Sequence, residues 1–449
     1  MKRAALGALL ALALTLPACT NGHTSSATTT SSARSARDSV RVGVWMSPDP
    51  NGAGYGAAAT RSLIYPQLFR ATPAGTWEPD LVRKGTDRTA PGNESATFRL
   101  RRRARWSDGT PITVDDLRRS ADGRFVKTVD APNIRGTIRV HFTQPLPGWR
   151  RLWSGLDVIR PATDGVYGGP FRLSTQTPGL EAVLTRNPAY YGAVPLIGAL
   201  HLVFAPDPEI ATRLLERGEL DVIAPPAFSA RTARLQHVHG ARVVTGTSAA
   251  GGWTAALIAN PARLSQERRA ALFALVNRQR FTDVLLHGEA VAAGPSTAAD
   301  VKAPTAPGVP SLLAPVEEPQ FALLLQAMQR LGRQRGLNLE LRQADFDQVL
   351  TAYAAGNFDA VVQLQPPSPQ RCWVCEAAPV NHDLAVAADS GDRRAARELA
   401  SQLETGGLVL PLWRERPVIA VRDGLEGVSA NGFAVTGPAW DVASWRWTK

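Results

Sequence analysis

Cysteine is nearly absent from this chain: three of 449 residues, one of which, Cys19, closes an apolar leader. A cysteine-stapled scaffold is excluded, because such folds need several bridges. The other two, Cys372 and Cys375, form a C-x-x-C pair. That spacing suits a redox site, half a zinc site or a short-loop disulfide. No second cysteine pair exists for zinc, and the motif does not open a helix after a strand. In an oxidising compartment a disulfide is the expectation. Long hydrophobic runs are missing too. Beyond the leader, none approaches the roughly 20 residues that a membrane span needs. No G-x-S-x-G, H-E-x-x-H or S-x-x-K occurs, and the Gly-rich stretch Asp49–Gly56 has neither phosphate-cradling spacing. Seven histidines are scattered. His237 and His239 would share a strand face, but they read as solvent-facing residues at a loop edge. No enzyme, metal site or cofactor is therefore expected.

What is present begins with the leader. Lys2 and Arg3 precede an apolar stretch from Ala4 to Leu16, and Leu16-Pro17-Ala18-Cys19 ends it with small residues before a cysteine. This is a secretory signal over residues 1–18, and its end is a lipobox, which implies cleavage before Cys19 and acylation of that thiol. Residues 19–39 are rich in Ser, Thr and Ala and read as a flexible tether of roughly 25 Å. About 410 residues follow, too many for one core, so two or three lobes are expected. The net charge is +11, carried overwhelmingly by arginine. On an exported, anchored chain this suggests anionic headgroups or cell-wall polymers rather than nucleic acid. Arg101-Arg102-Arg103 reads as a solvated face.

The densest signal is Phe98 to Leu117. Phe98 and Leu100 alternate with Arg99 and Arg101, as in a half-buried strand. Asp108-Gly109 is turn chemistry, and Thr113 lies three residues before Asp116, a helix N-cap with an acid that can reach back. This block resembles a signature of the family 5 extracellular solute-binding proteins, the dipeptide, oligopeptide and nickel receptors of bacterial ABC importers. The match runs through Phe98, Leu100, Arg101, Trp106, Asp108-Gly109-Thr110-Pro111, Thr113 and Asp116. Further blocks follow in the family's order: Tyr65-Pro66-Gln67-Leu68-Phe69; Gly168-Gly-Pro-Phe-Arg-Leu173; Leu184 to Gly192 with Asn187-Pro188-Ala189-Tyr190-Tyr191; Leu220 to Ile223; Trp253 to Leu286; and Leu408 to Trp413 with Val418 to Val421.

The resemblance implies an α/β fold of two lobes, periplasmic-binding-protein-like and of the larger type II kind, with a hinge and a ligand cleft between the lobes. Lobe one is expected over 40–247, with a shortened extra subdomain near 117–165. Lobe two is expected over 248–410, and the return to lobe one over 411–449. Crossings are expected near Val244 to Gly252 and Leu408 to Arg422. Helices are expected over Ala57–Leu68 and from Pro208, the latter with Ile210, Leu214 and Leu215 on one face.

The implied partners are a small-molecule or peptide ligand, an ABC permease and the membrane through the lipid anchor, with the receptor a monomer. Tyr65, Trp253, Gln365, Ser368 and Trp373 are the candidate ligand contacts. Where peptide-binding relatives carry an acid that pairs with the peptide's amino group, this chain has Leu364-Gln365-Pro366-Pro367-Ser368-Pro369. With no acid from Gln363 to Gln370, peptides with free amino termini are expected to bind weakly. A sensor or scaffold that keeps the fold without transport is the rival reading, favoured by the shortened middle and the missing acid.

Overall fold

The computed structural model describes residues 38–448, apart from 53–54, 124, 133–135, 147, 156–157, 229, 247–251, 294–307, 366–383, 385–392, 433 and 435. Cys19, Ser368, Cys372, Trp373 and Cys375 thus lie outside the described residues. Residues 38–449 form one compact unit that contains every core described below.

Two large sheets organise the chain. The first has seven strands, in the order Ala241–Thr245, Val418–Arg422, Val222–Ile223, Ser39–Val44, Ala199–Phe204, Glu181–Arg186 and Phe171–Thr177. Ser39–Val44 runs parallel to both of its neighbours. The second has six strands, in the order Ala290–Ala292, Val409–Glu415, Thr254–Ala259, Ala360–Gln365, Ser311–Pro315 and Glu340–Ala344. Ser311–Pro315 is parallel to both strands beside it, whereas Thr254–Ala259 pairs antiparallel on both sides. Both sheets are therefore mixed, with parallel and antiparallel pairs.

Both faces of each large sheet are covered. In Thr254–Ala259, Ala255, Leu257 and Ala259 enter one core, and Ala256 and Ile258 enter the other. A strand buried on both faces needs no polar alternation, which is why this stretch reads as an unbroken apolar run. The chain leaves the first sheet at Thr245 and enters the second at Thr254, then returns between Glu415 and Val418. The expected boundary at 411 therefore sits too early: Arg414 is still paired with Thr254, so the strand belongs to the second sheet to its end.

The helix Pro208–Arg217 bridges the parallel strands Ala199–Phe204 and Val222–Ile223. Asp207 starts it, accepting hydrogen bonds from the backbone N–H groups of Glu209 (2.7 Å) and Ile210 (2.9 Å). Gly218 stops it with φ +78°. Its buried face is Ala211 and Leu215, four residues apart; Ile210, one position round the helix, is 44% exposed, contrary to expectation. Asp207→Ala should cost about 1 kcal/mol. A urea midpoint unchanged from wild type would refute that cap.

A third, four-stranded antiparallel sheet, Arg88–Thr89, Ser95–Arg99, Thr137–Phe142 and Val126–Asp130, builds a subdomain on lobe one. One face packs on Phe98, Ile138, Val140, Trp149 and Trp153. The expected turn and cap are formed. Thr110 N–H donates to Asp108 Oδ1 (2.9 Å), Gly109 takes φ +89°, and Thr113 N–H donates to Asp116 Oδ2 (2.7 Å). The helix that follows, Val114–Arg119, is only six residues long. Asp80, buried, accepts from the hydroxyls of Tyr190 (3.0 Å) and Tyr191 (3.3 Å), tying the subdomain to the first sheet. Burial raises the Asp80 pKa, against the pull of Arg70. Among the described residues no helix is long and apolar enough to cross a membrane.

Candidate functional site

A cavity of about 140 Å³ lies where the two lobes meet at the return crossing. The helix Tyr55–Ile64 supplies one wall through Gly56, Ala59, Thr60 and Leu63, residues spaced three and four apart and hence on one helical face. The end of the strand Ser39–Val44 adds Val44, Trp45 and Met46. Lobe two contributes Trp253, Leu364 and Glu415, and the segment from Asn431 to Pro438 closes another side. The lining is largely apolar with few polar groups, as small-molecule sites commonly are.

Trp45 of lobe one touches two rings of lobe two edge-on, Trp253 at 6.3 Å and Phe346 at 6.5 Å between centroids. Aromatic edge contacts of this kind contribute about 0.5–1.5 kcal/mol each beyond their buried area.

Beneath the cavity sits a buried charged network. Arg231 is 1% exposed. Its guanidinium donates to the backbone carbonyls of Pro225 (3.0 Å), Arg416 (2.9 Å) and Glu289 (3.2 Å), and to Glu289 Oε2 (3.4 Å). Glu415 Oε2 is 3.6 Å away. Glu415 in turn accepts from Ala227 N–H (2.6 Å) and Trp413 Nε1–H (3.0 Å). Arg231 and Ala227 belong to lobe one, Glu289 and Glu415 to lobe two, and Arg416 to the crossing. Burial pushes the Glu415 pKa up although Arg231 opposes it, and burial lowers that of Arg231. One guanidinium thus joins both lobes to the hinge.

Of the residues anticipated from the sequence, the structure puts Trp253 on the cavity wall. Tyr65 lies outside the cavity lining, with its ring 6.1 Å from that of Tyr167. The helix ends at Ile64, and Tyr65 falls off the Gly56–Leu63 face that lines the cavity. Gln365 ends its strand beside the cavity residue Leu364, and its Nε2 is buried with no partner among the described residues. His237 and His239 are not on a strand: His237 ends the helix Arg231–Gln236, and Nδ1 lies 2.6 Å from Ala233 O. No group of three or more His, Cys, Asp or Glu side chains is placed to hold a metal among the described residues.

Carboxylates, missing from Gln363 to Gln370, come from other elements. Glu317 and Glu318 follow the strand Ser311–Pro315. Glu317 Oε1 accepts from Phe346 N–H (3.0 Å), and Asp345 caps the helix Phe346–Ala354. Asp49 of lobe one faces Asp347 of lobe two closely enough to help raise the Asp347 pKa, though burial and Asp345 contribute more. Glu318 is fully buried; Oε2 meets the Gln320 amide, and Oε1 has no partner among the described residues. Burial, then repulsion from Glu415, drives its pKa well above 4.5.

This geometry defines a two-lobe binding-protein architecture with its cavity at the hinge. Solved structures share it: the oligopeptide-binding protein AppA from Bacillus subtilis, in complex with a nonapeptide, has TM-score 0.75 at 13% identity, covering 92% of this chain and 100% of that one. The binding protein AgaA, in complex with agropinic acid, has TM-score 0.75 at 17% identity, covering 92% and 99%. Residues 157–311 match the bacterial extracellular solute-binding proteins, family 5 middle region. Over part of its length the chain is thus similar to the family 5 extracellular solute-binding proteins. Among curated relatives, the probable monoacyl phosphatidylinositol tetramannoside-binding protein LpqW of Mycobacterium tuberculosis is 26% identical over 225 residues, 42% of this chain and 35% of that protein. The oligopeptide-binding protein OppA of Mycobacterium bovis is 28% identical over 178 residues, 32% of this chain and 30% of that protein. The matches thus span about a third of the length of these relatives.

Proposed function

We propose that this protein is a lipid-anchored receptor that captures a short peptide or another polar organic solute between its lobes and presents it to an ABC permease. The observation that carries this reading is the cavity lined from both lobes at the return crossing. Hinge closure around a ligand would give a permease a surface that distinguishes loaded from empty. The names of OppA and AppA favour a peptide, and those of AgaA and LpqW other organic solutes. Acylated Cys19 supplies the anchor, Cys372 and Cys375 form a short-loop disulfide, and the receptor acts as a monomer. The short helix Val114–Arg119, six residues long, and the acid-free Gln363–Gln370 segment favour a second reading: a sensor or scaffold on the same fold.

Native mass spectrometry of protein from its own host should find a co-purifying small molecule. Titration with that molecule should change the fluorescence of the Trp45–Trp253 pair. Trp253→Ala should weaken its binding roughly tenfold, the equivalent of one well-packed aromatic contact. An unaltered affinity would move the site away from this cavity. Calorimetry with a free peptide and its N-acetylated twin then locates the anchor. Indifference to acetylation, or preference for the acetylated form, fits the acid-free Gln363–Gln370 segment. Loss on acetylation assigns the ammonium group to the acids around Glu317 and Asp347.

A further inference from the structure

The positive charge of this protein is not spread over it. Residues 81–160 hold 17 Lys and Arg against 8 Asp and Glu, a net of +9. The remainder of the chain carries the other +2: Lys2 and Arg3 of the leader give +2, residues 19–39 give +1, and the two large lobes together come to −1. An arginine-rich composition alone would charge every lobe alike. Here the whole excess belongs to the four-stranded subdomain and the segments around it.

The register shows where part of it lies. Thr97 is paired with Arg88 on one side and Arg139 on the other, and Arg99 is two residues further along the same face. The alternate residues Ala96, Phe98, Ile138 and Val140 are buried in the subdomain core, which leaves the Thr97 face outermost. Arg88 and Arg139 are exposed, and so are Arg83 and Lys84 beside the edge and Arg102 and Arg103 in the turn after the strand. Three nearby acids have other partners, Asp87 with Arg150 (2.6 Å), Asp115 with Arg118 (2.7 Å) and Asp116 with Arg119, while Asp130 stands opposite Arg139 on the neighbouring strand. Cations outnumber acids on this face and its flanking turns, so it attracts an external polyanion.

We propose that the outer face of this subdomain docks on the anionic phospholipid headgroups of a bilayer. The cations are distributed over a sheet face and its flanking turn and do not converge on one point, which suits a charged plane better than a single anion. The choice of a bilayer over a soluble polymer rests on the membrane anchor in the proposed function; the charge distribution does not. Docking would hold lobe one against the membrane and fix the orientation that the tether leaves free.

The test uses residues 38–449, without leader or anchor, so that a failure of acylation cannot affect it. The probes are phosphatidylglycerol-rich vesicles and pure phosphatidylcholine vesicles, read by co-sedimentation. Binding to the first alone, fading as ionic strength rises, is expected. Each basic residue near an anionic surface contributes about fivefold in affinity, so R83Q/R88Q/R102Q/R139Q should lose on the order of several hundred-fold. The corresponding quadruple lysine variant should keep its binding, which separates charge from folding. Equal binding to both vesicle types, no binding to either, no effect of the glutamine variant, or binding to soluble polyglutamate but not to vesicles would each overturn the proposal. Whether Cys19→Ala frees the full chain from the membrane is a separate measurement and reports on the anchor.

Discussion

Arg231→Met will cost about 3–5 kcal/mol of stability, the usual effect of removing one partner from a buried ion cluster. The loss has a specific origin. Glu415 is buried within the protein, and the substitution removes the guanidinium that lies 3.6 Å from its Oε2. Glu289 suffers less, since it also accepts from Thr232 N–H (2.8 Å) and the Thr232 hydroxyl (2.6 Å). The double variant Arg231→Met/Glu415→Gln should therefore recover most of the deficit, because replacing both partners leaves no orphaned charge. Urea unfolding followed by both tryptophan fluorescence and circular dichroism checks this and shows whether the lobes still unfold together. A single variant within 1 kcal/mol of wild type would mean that the hinge does not depend on this network.

Glu318→Gln will change how stability varies with pH. The carboxyl is fully buried, and its pKa is raised well above 4.5 in the folded protein. A raised carboxyl binds its proton more tightly folded than unfolded. Its contribution is thus complete below 4.5 and is lost as pH rises through the folded value. Over that window the wild type should lose up to about 1.4 kcal/mol per pH unit from this group alone. Gln320 turns its amide N–H toward Glu318 Oε2, and its own amide oxygen has no hydrogen-bond partner among the described residues. Glu318→Gln removes the charge, so the variant should match wild type near pH 4 and exceed it at pH 7 to 8. Parallel stability profiles across that range would refute the assignment. Asp80, also raised by burial, adds a common slope to both proteins, whereas Glu415 and Glu317 repel Glu318 and lose that repulsion in the variant.

The parts of this protein legible in its sequence are those governed by short-range chemistry. The turn at Asp108-Gly109, the cap at Thr113, the helix start at Asp207 and the stop at Gly218 each depend on neighbours within a few residues. The order of such blocks was enough to suggest two lobes and a hinge. The hinge chemistry was not legible. Arg231 sits in an ordinary short helix, and its partners lie 58 residues away at Glu289 and 185 residues away at Arg416. Nothing local distinguishes it from the many exposed arginines. Nothing local marks Trp45 either, because its partners Trp253 and Phe346 belong to the other lobe. Tyr65 and Ile210 were misplaced for one reason: a one- or two-residue error in helix phase moves a side chain to another face. The acids Glu317 and Asp347 are not legible as a group, because carboxylates on separate strands and helices converge only in three dimensions.

The return crossing has a mechanical consequence. Only Arg416 and Pro417 separate the last strand of one sheet from a central strand of the other. Proline fixes one of the four soft backbone torsions of that pair. A methyl on Gly252 would come within 2.1 Å of the Glu415 carbonyl, and one on Gly246 within 2.4 Å of the Pro417 ring. So short a pivot, packed this tightly, permits a swing but little slide. The angle between the halves then becomes nearly a single variable, and solutes of quite different chemistry can be reported outward as one and the same shape.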